Sequence, residues 1–117
     1  MSEERFDFQQ LTIYKKIRLL NRHLVPLTFQ LFKRDRFLAD QLKRATLSIA
    51  LNLAEGAGRT SRPDKRRFYV MGQSSLYECV SILDVLLDLE YLSEKEYIFY
   101  ADQYVEVSKM FSGLIRR

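Results

Sequence analysis

Ala45-Thr46-Leu47-Ser48-Ile49-Ala50-Leu51-Asn52-Leu53-Ala54-Glu55-Gly56-Ala57 carries a single charge, Glu55. Together with Leu38 and Leu42 upstream, the positions Ala45, Ile49, Asn52 and Gly56 recur at three- and four-residue intervals, which is the period of one side of an α-helix. Leu47, Ala50, Leu51 and Ala54 make a second side apolar as well. A helix that is apolar nearly all round has to be covered nearly all round. This segment therefore predicts a central helix in an all-helical fold, with a spare face for self-association.

Upstream, Ile13, Ile17, Leu20, Leu24, Leu27 and Leu31 predict a first helix over residues 8–32, with Pro26 inside it expected to kink or split it. Lys33-Arg34-Asp35 is the polar break before the second helix. Downstream, Gly56 and Gly58 read as a helix stop. Ser61-Arg62-Pro63-Asp64 reads as a new start, with Ser61 as N-cap and Pro63 in the first turn. The third helix carries two adjacent stripes. One is Phe68, Gly72, Ser75, Cys79, Ile82, Leu86 and Leu89; the other is Tyr69, Leu76, Val80, Leu83 and Leu87. The small residues Gly72, Ser75 and Cys79 would let a neighbouring helix approach closely. Ser93-Glu94-Lys95-Glu96 is a capping-box pattern. It opens a fourth helix with the stripe Tyr97, Ala101, Tyr104, Ser108, Phe111 and Ile115, beside Ile98, Val105 and Leu114.

No segment alternates as a half-buried strand does, and every break is short. The expected architecture is all-α: an antiparallel up-down-up-down four-helix bundle, one domain over residues 1–117. The start, Met1-Ser2-Glu3-Glu4-Arg5, lacks a basic-then-apolar signal segment, and no apolar run approaches a spanning length, so a cytoplasmic protein without a membrane role is expected.

Chemistry is sparse. His23 is the only histidine and Cys79 the only cysteine. No metal-ligand spacing exists, and Cys79 reads as core. Gly56-Ala57-Gly58-Arg59 matches neither a phosphate-cradling loop nor a dinucleotide fingerprint. Asn52 and Glu55 place polar groups in the most apolar region, and the Glu55 carboxylate, with Glu78 on the third helix, is a candidate for acid–base work. No nucleophile, ligand set or cofactor motif accompanies them. The alternative is a structural network of Asn52, Glu55, Ser75, Tyr77 and Glu78 with a basic side chain, and the expectation is no enzyme and no cofactor.

Charge is more informative. Residues 1–77 hold 15 Lys/Arg against 7 Asp/Glu, while residues 78–106 hold one basic residue against eight acidic ones, and residues 107–117 return to positive. Arg59, Arg62, Lys65, Arg66 and Arg67 surround the start of the third helix, whose free N–H groups also favour phosphate. Lys43 and Arg44 would extend that surface, and Phe68 and Tyr69 supply rings for stacking or for the core. The expected partner is nucleic acid. An ordinary solvated face stays open, as does an adaptor whose acidic surface (Glu78, Asp84, Asp88, Glu90, Glu94, Glu96, Asp102, Glu106) docks a basic protein.

The run from Leu38 to Ile49, then Asn52-Leu53-Ala54-Glu55-Gly56-Ala57-Gly58-Arg59, then Ser75-Leu76-Tyr77-Glu78, resembles the four-helix-bundle family encoded by intervening sequences of bacterial large-subunit ribosomal RNA genes. Phe6-Asp7, Leu92-Ser93-Glu94-Lys95-Glu96-Tyr97, Lys109-Met110 and Gly113-Leu114-Ile115 extend the likeness over nearly the whole chain. Tyr14 stands where the family often has tryptophan, and Ala50 where it often has proline. The resemblance implies a homopentameric ring with a role in binding structured RNA, RNA rather than DNA. The family is also similar to accessory proteins of diversity-generating retroelements, which implies a possible protein partner such as a reverse transcriptase.

Overall fold

A computed structural model describes residues 5–117; Met1 to Glu4, the start read above for a signal segment, lie outside them. A 3-10 turn, Asp7–Gln10, precedes four helices: α1 (Thr12–Leu31), α2 (Arg36–Gly58), α3 (Arg62–Asp88) and α4 (Glu94–Arg116). Pairings across neighbouring helices run in opposite directions. Gly56 faces Tyr69 while Asn52 faces Gly72; Gln73 reaches Ser108 and Ser112 while Tyr97 reaches Asp84; Lys16 meets Glu106 while His23 meets Phe99. Each helix packs on its sequence neighbours, and α1 closes the ring against α4. The result is an antiparallel four-helix bundle.

Side-chain caps begin three of the helices. Asp35 accepts from the Leu38 N–H at 3.0 Å, so the polar break also starts α2. Ser61 accepts from Asp64 at 3.2 Å, and Ser93 and Glu96 form the reciprocal pair expected of a capping box. Each such cap satisfies a donor that helix geometry leaves free.

Two expected punctuations fall differently. α1 runs unbroken through Pro26; the Arg22 carbonyl loses one donor, but the next turn is tightened by the Thr28 hydroxyl donating to the Val25 carbonyl at 2.6 Å. α2 likewise runs through both Gly56 and Gly58, and neither adopts a positive φ. Gly56 is small for another reason: a Cβ there would sit 2.7 Å from the Tyr69 ring. The left-handed helix stop belongs instead to Glu90, at φ 60°. Its N–H donates to the Leu87 carbonyl, and that of Tyr91 to Leu86, which is the Schellman closure of α3.

The core is Ile13, Ile17, Leu20, Leu24 and Leu31 of α1 against Leu42, Ala45, Ile49 and Leu53 of α2, Leu76, Cys79, Leu83 and Leu86 of α3, and Tyr100, Tyr104, Val107 and Phe111 of α4. The α4 face is rotated from the expected one. Tyr104 and Phe111 are buried as expected, but Tyr100 and Val107 replace Tyr97 and Ser108, while Ile98 and Val105 are about half exposed. Both stripes keep helical spacing, and only the direction of the neighbouring helices selects between them. Contrary to the expectation from the sequence, α3 does contain a stretch as long and apolar as a membrane span. The stretch carries Glu78 in its middle and Asp84 near its end, which a bilayer would penalise, and α3 buries seven residues in the bundle.

Candidate nucleic-acid interface

The antiparallel arrangement brings the end of α2, the start of α3 and the end of α4 to one end of the bundle. Arg59 is the residue at which α2 stops, with extended backbone, and Arg62 and Arg66 lie on the first turns of α3. Arg116 and Arg117 arrive from α4. A cleft of about 510 Å³ is lined by Arg62, Pro63, Arg66, Ile115, Arg116 and Arg117. The Arg62 guanidinium donates to the Arg116 carbonyl at 3.4 Å, tying the two helix ends together. The same positive field reaches Tyr69: burial raises its phenol above the ordinary value, and the Arg117 charge partly offsets that.

The basic residues of this end divide into two groups. Lys65 donates to the Ala57 carbonyl at 2.9 Å and to that of Gly56 at 3.5 Å, so it closes the carboxyl end of α2, where a cation is favoured. Arg59 pairs with Glu55 at 2.8 Å and Arg67 with Asp64 at 3.7 Å, and both guanidiniums stand 4.5 Å from the Phe68 ring. Phe68 is thereby engaged, and Tyr69 is core. Among the described residues no carboxylate lies within ion-pair distance of Arg62, Arg66, Arg116 or Arg117. These four have charge to offer a ligand. Reading the sequence missed Arg116 and Arg117, although the positive charge of residues 107–117 is their signal, because only the fold sets them beside α3.

Lys43 and Arg44 are not brought to this end. Arg44 lies about 22 Å from Arg59 along α2 at the helical rise. It bridges to Glu78 at 3.4 Å and to Gln41 at 2.7 Å, and Lys43 stands over Phe29.

The five polar residues expected to form one network separate into smaller ones. Asn52 donates to the Ser48 hydroxyl and carbonyl at 3.0 Å, and Ser48 meets Ser75 at 2.8 Å across α2 and α3. Glu55 turns outward to Arg59, Glu78 meets Arg44, and Tyr77 meets Ser108 on α4. Because Glu78 sits level with Arg44, it lies about 16 Å along the bundle from Glu55 at the helical rise. The two carboxylates do not form an acid–base couple. Among the described residues no group of three His, Cys, Asp or Glu is placed to hold a metal ion. On the acidic surface, Glu78, Asp84, Glu96 and Glu106 are each engaged by a partner within the bundle.

A family model described as 23S rRNA-intervening sequence protein matches residues 9–113. The chain belongs to that family. Among solved structures, this intervening-sequence protein is similar to a protein of unknown function from the S23 ribosomal protein family of Bacteroides thetaiotaomicron, with a TM-score of 0.84 at 20% identity, covering 91% of this chain and 100% of that one. At that identity the likeness establishes the fold. No curated protein matches the chain. Neither the family nor the bundle carries any indication of catalysis.

Proposed function

We propose that this intervening-sequence protein is a non-enzymatic RNA-binding protein, acting as a homo-oligomer that presents one arginine-lined bundle end per protomer. The observation that carries this reading is the cleft of Arg62, Arg66, Arg116 and Arg117 at the start of α3, where four arginines line one cleft at the positive end of the helix dipole. Guanidiniums in that arrangement suit phosphate oxygens, and phosphate contacts set affinity and register without reading bases. Self-association is supported by Leu47 and Leu51 on α2 and Met71 on α3, large apolar side chains left 41%, 64% and 44% exposed on neighbouring helices. A ring would multiply weak phosphate contacts into useful avidity.

The test is RNA retention as a function of salt for the Arg62→Ala/Arg66→Ala protein. Removing one phosphate interaction lowers the slope of log affinity against log salt by roughly one. Weakened binding to unrelated sequences alike, with helicity and oligomer mass intact, is the expected result. An unchanged slope would make this end a solvated face and favour the adaptor with its acidic surface.

A further inference from the structure

A second positive surface lies on the other side of the molecule. From Phe8 to Arg34 the chain contains no acidic residue. Lys15, Arg18 and Arg22 are solvent-facing and fall within about 60° of one another around α1, and Phe29 continues the same line about 21 Å from Lys15. Here the bundle exposes aromatic rings. Phe29 is 61% exposed, Phe32 42% and Phe37, at the start of α2, 69%. The Lys43 ammonium stands 4.8 Å from the Phe29 ring and the Arg36 guanidinium 4.9 Å from that of Phe32. Between Phe29 and Phe32 runs a groove of about 300 Å³ whose wall includes Asp40.

Charge complementarity selects the occupant. The cations call for an anion, whereas the exposed rings call for something planar and apolar. The Asp40 carboxylate repels a phosphate from the groove itself but accepts hydrogen bonds from an exocyclic amino group. A single-stranded polynucleotide meets all three conditions, because its phosphates and its base faces are both available. A duplex keeps its bases stacked on one another and offers the rings no free base face.

We propose that the α1–α2 face is a track for single-stranded nucleic acid, its phosphates on Lys15, Arg18 and Arg22 and its bases stacked at Phe29 and Phe32. The track is separate from the arginine-lined end and stands or falls independently of it.

The chain contains no tryptophan, so Phe29→Trp places a single reporter on the track in the full-length protein. Oligo(U) and oligo(A) single strands should quench its emission, and a duplex of equal length should not. Phe29→Ala/Phe32→Ala should weaken single-strand binding by about tenfold or more with an unchanged salt slope, since stacking releases no counterions. Arg18→Ala/Arg22→Ala should instead lower that slope, by about 0.7 for each phosphate released. The preference for single strands should survive in Arg62→Ala/Arg66→Ala, which separates this track from the bundle end. No quenching, or equal quenching by duplex, would overturn the proposal. So would a fall in oligomer mass in Phe29→Ala/Phe32→Ala without change in RNA affinity, which would assign the rings to a protein interface.

Discussion

Gly72→Ala probes the packing on which the bundle depends. A Cβ at residue 72 would lie 2.9 Å from both Cε1 and Cζ of Phe111, against the roughly 3.5–4.0 Å at which carbon atoms rest. Phe111 is 0% exposed, so its ring cannot swing out into solvent and must be accommodated within the packed core. Overpacking of this kind typically costs about 1–3 kcal/mol. The same substitution relieves the backbone cost of glycine inside a helix, worth about 1 kcal/mol in the opposite direction. The net expectation is destabilisation by about 1 kcal/mol, or a few degrees in Tm. Gly113→Ala is the matched control, because it lies inside α4 with nothing within 4 Å of its Cβ position. It should stabilise by up to about 1 kcal/mol. Urea unfolding followed by far-UV circular dichroism, at one protomer concentration because assembly contributes to apparent stability, reads both. Phe111→Leu should recover part of the deficit in the Gly72→Ala background. If Gly72→Ala proved as stabilising as Gly113→Ala, the close approach of α4 to α3 would be refuted.

Glu90→Gly removes a side chain from the left-handed position that closes α3 and should raise stability by about 1 kcal/mol, checked by the same titration. Burial pushes the Cys79 thiol up to about 12, and burial likewise raises the Tyr104 phenol that accepts its hydrogen bond. Both groups are neutral when protonated and have raised folded values. Their contribution is therefore complete below the ordinary values of 9.0 and 10.0 and declines as pH rises beyond them. At pH 10 the thiol alone should cost on the order of 1 kcal/mol, a slope that urea midpoints across about pH 8–10 would reveal and Cys79→Ala would flatten. Leu51→Glu, on an exposed site, should lower the solution mass toward the 13.9 kDa protomer without loss of helicity; unchanged mass in light scattering would remove α2 from the interface.

Local chemistry was enough to read the helices from the sequence. Ile13, Ile17, Leu20, Leu24 and Leu31 form a buried stripe because side chains three and four residues apart share a helix face whatever lies opposite. Ser61 and Ser93 cap their helices because a hydroxyl one residue before the first turn reaches that turn's own N–H groups. The basic run from Arg59 to Arg67 was equally visible, since charge is a property of residue type. What each member does was not: Lys65 closes α2, whereas Arg62 and Arg66 line a cleft, a division set by which helix ends meet.

Wherever two local answers were equivalent, the tertiary structure decided. Tyr97 and Tyr100 both head acceptable stripes on α4, and the position of α3 and α1 buries Tyr100. Gly56 has the composition of a helix stop, yet the approaching Tyr69 ring makes it a packing glycine, while the left-handed turn falls to a glutamate that no propensity favours. Arg116 and Arg117 stand far from the basic run in sequence and join it through antiparallel packing. Such choices depend on distances between segments remote in sequence. The sequence by itself determines the helical period and its caps; the packing of chain-remote segments determines which face is inward and which charges share a cleft.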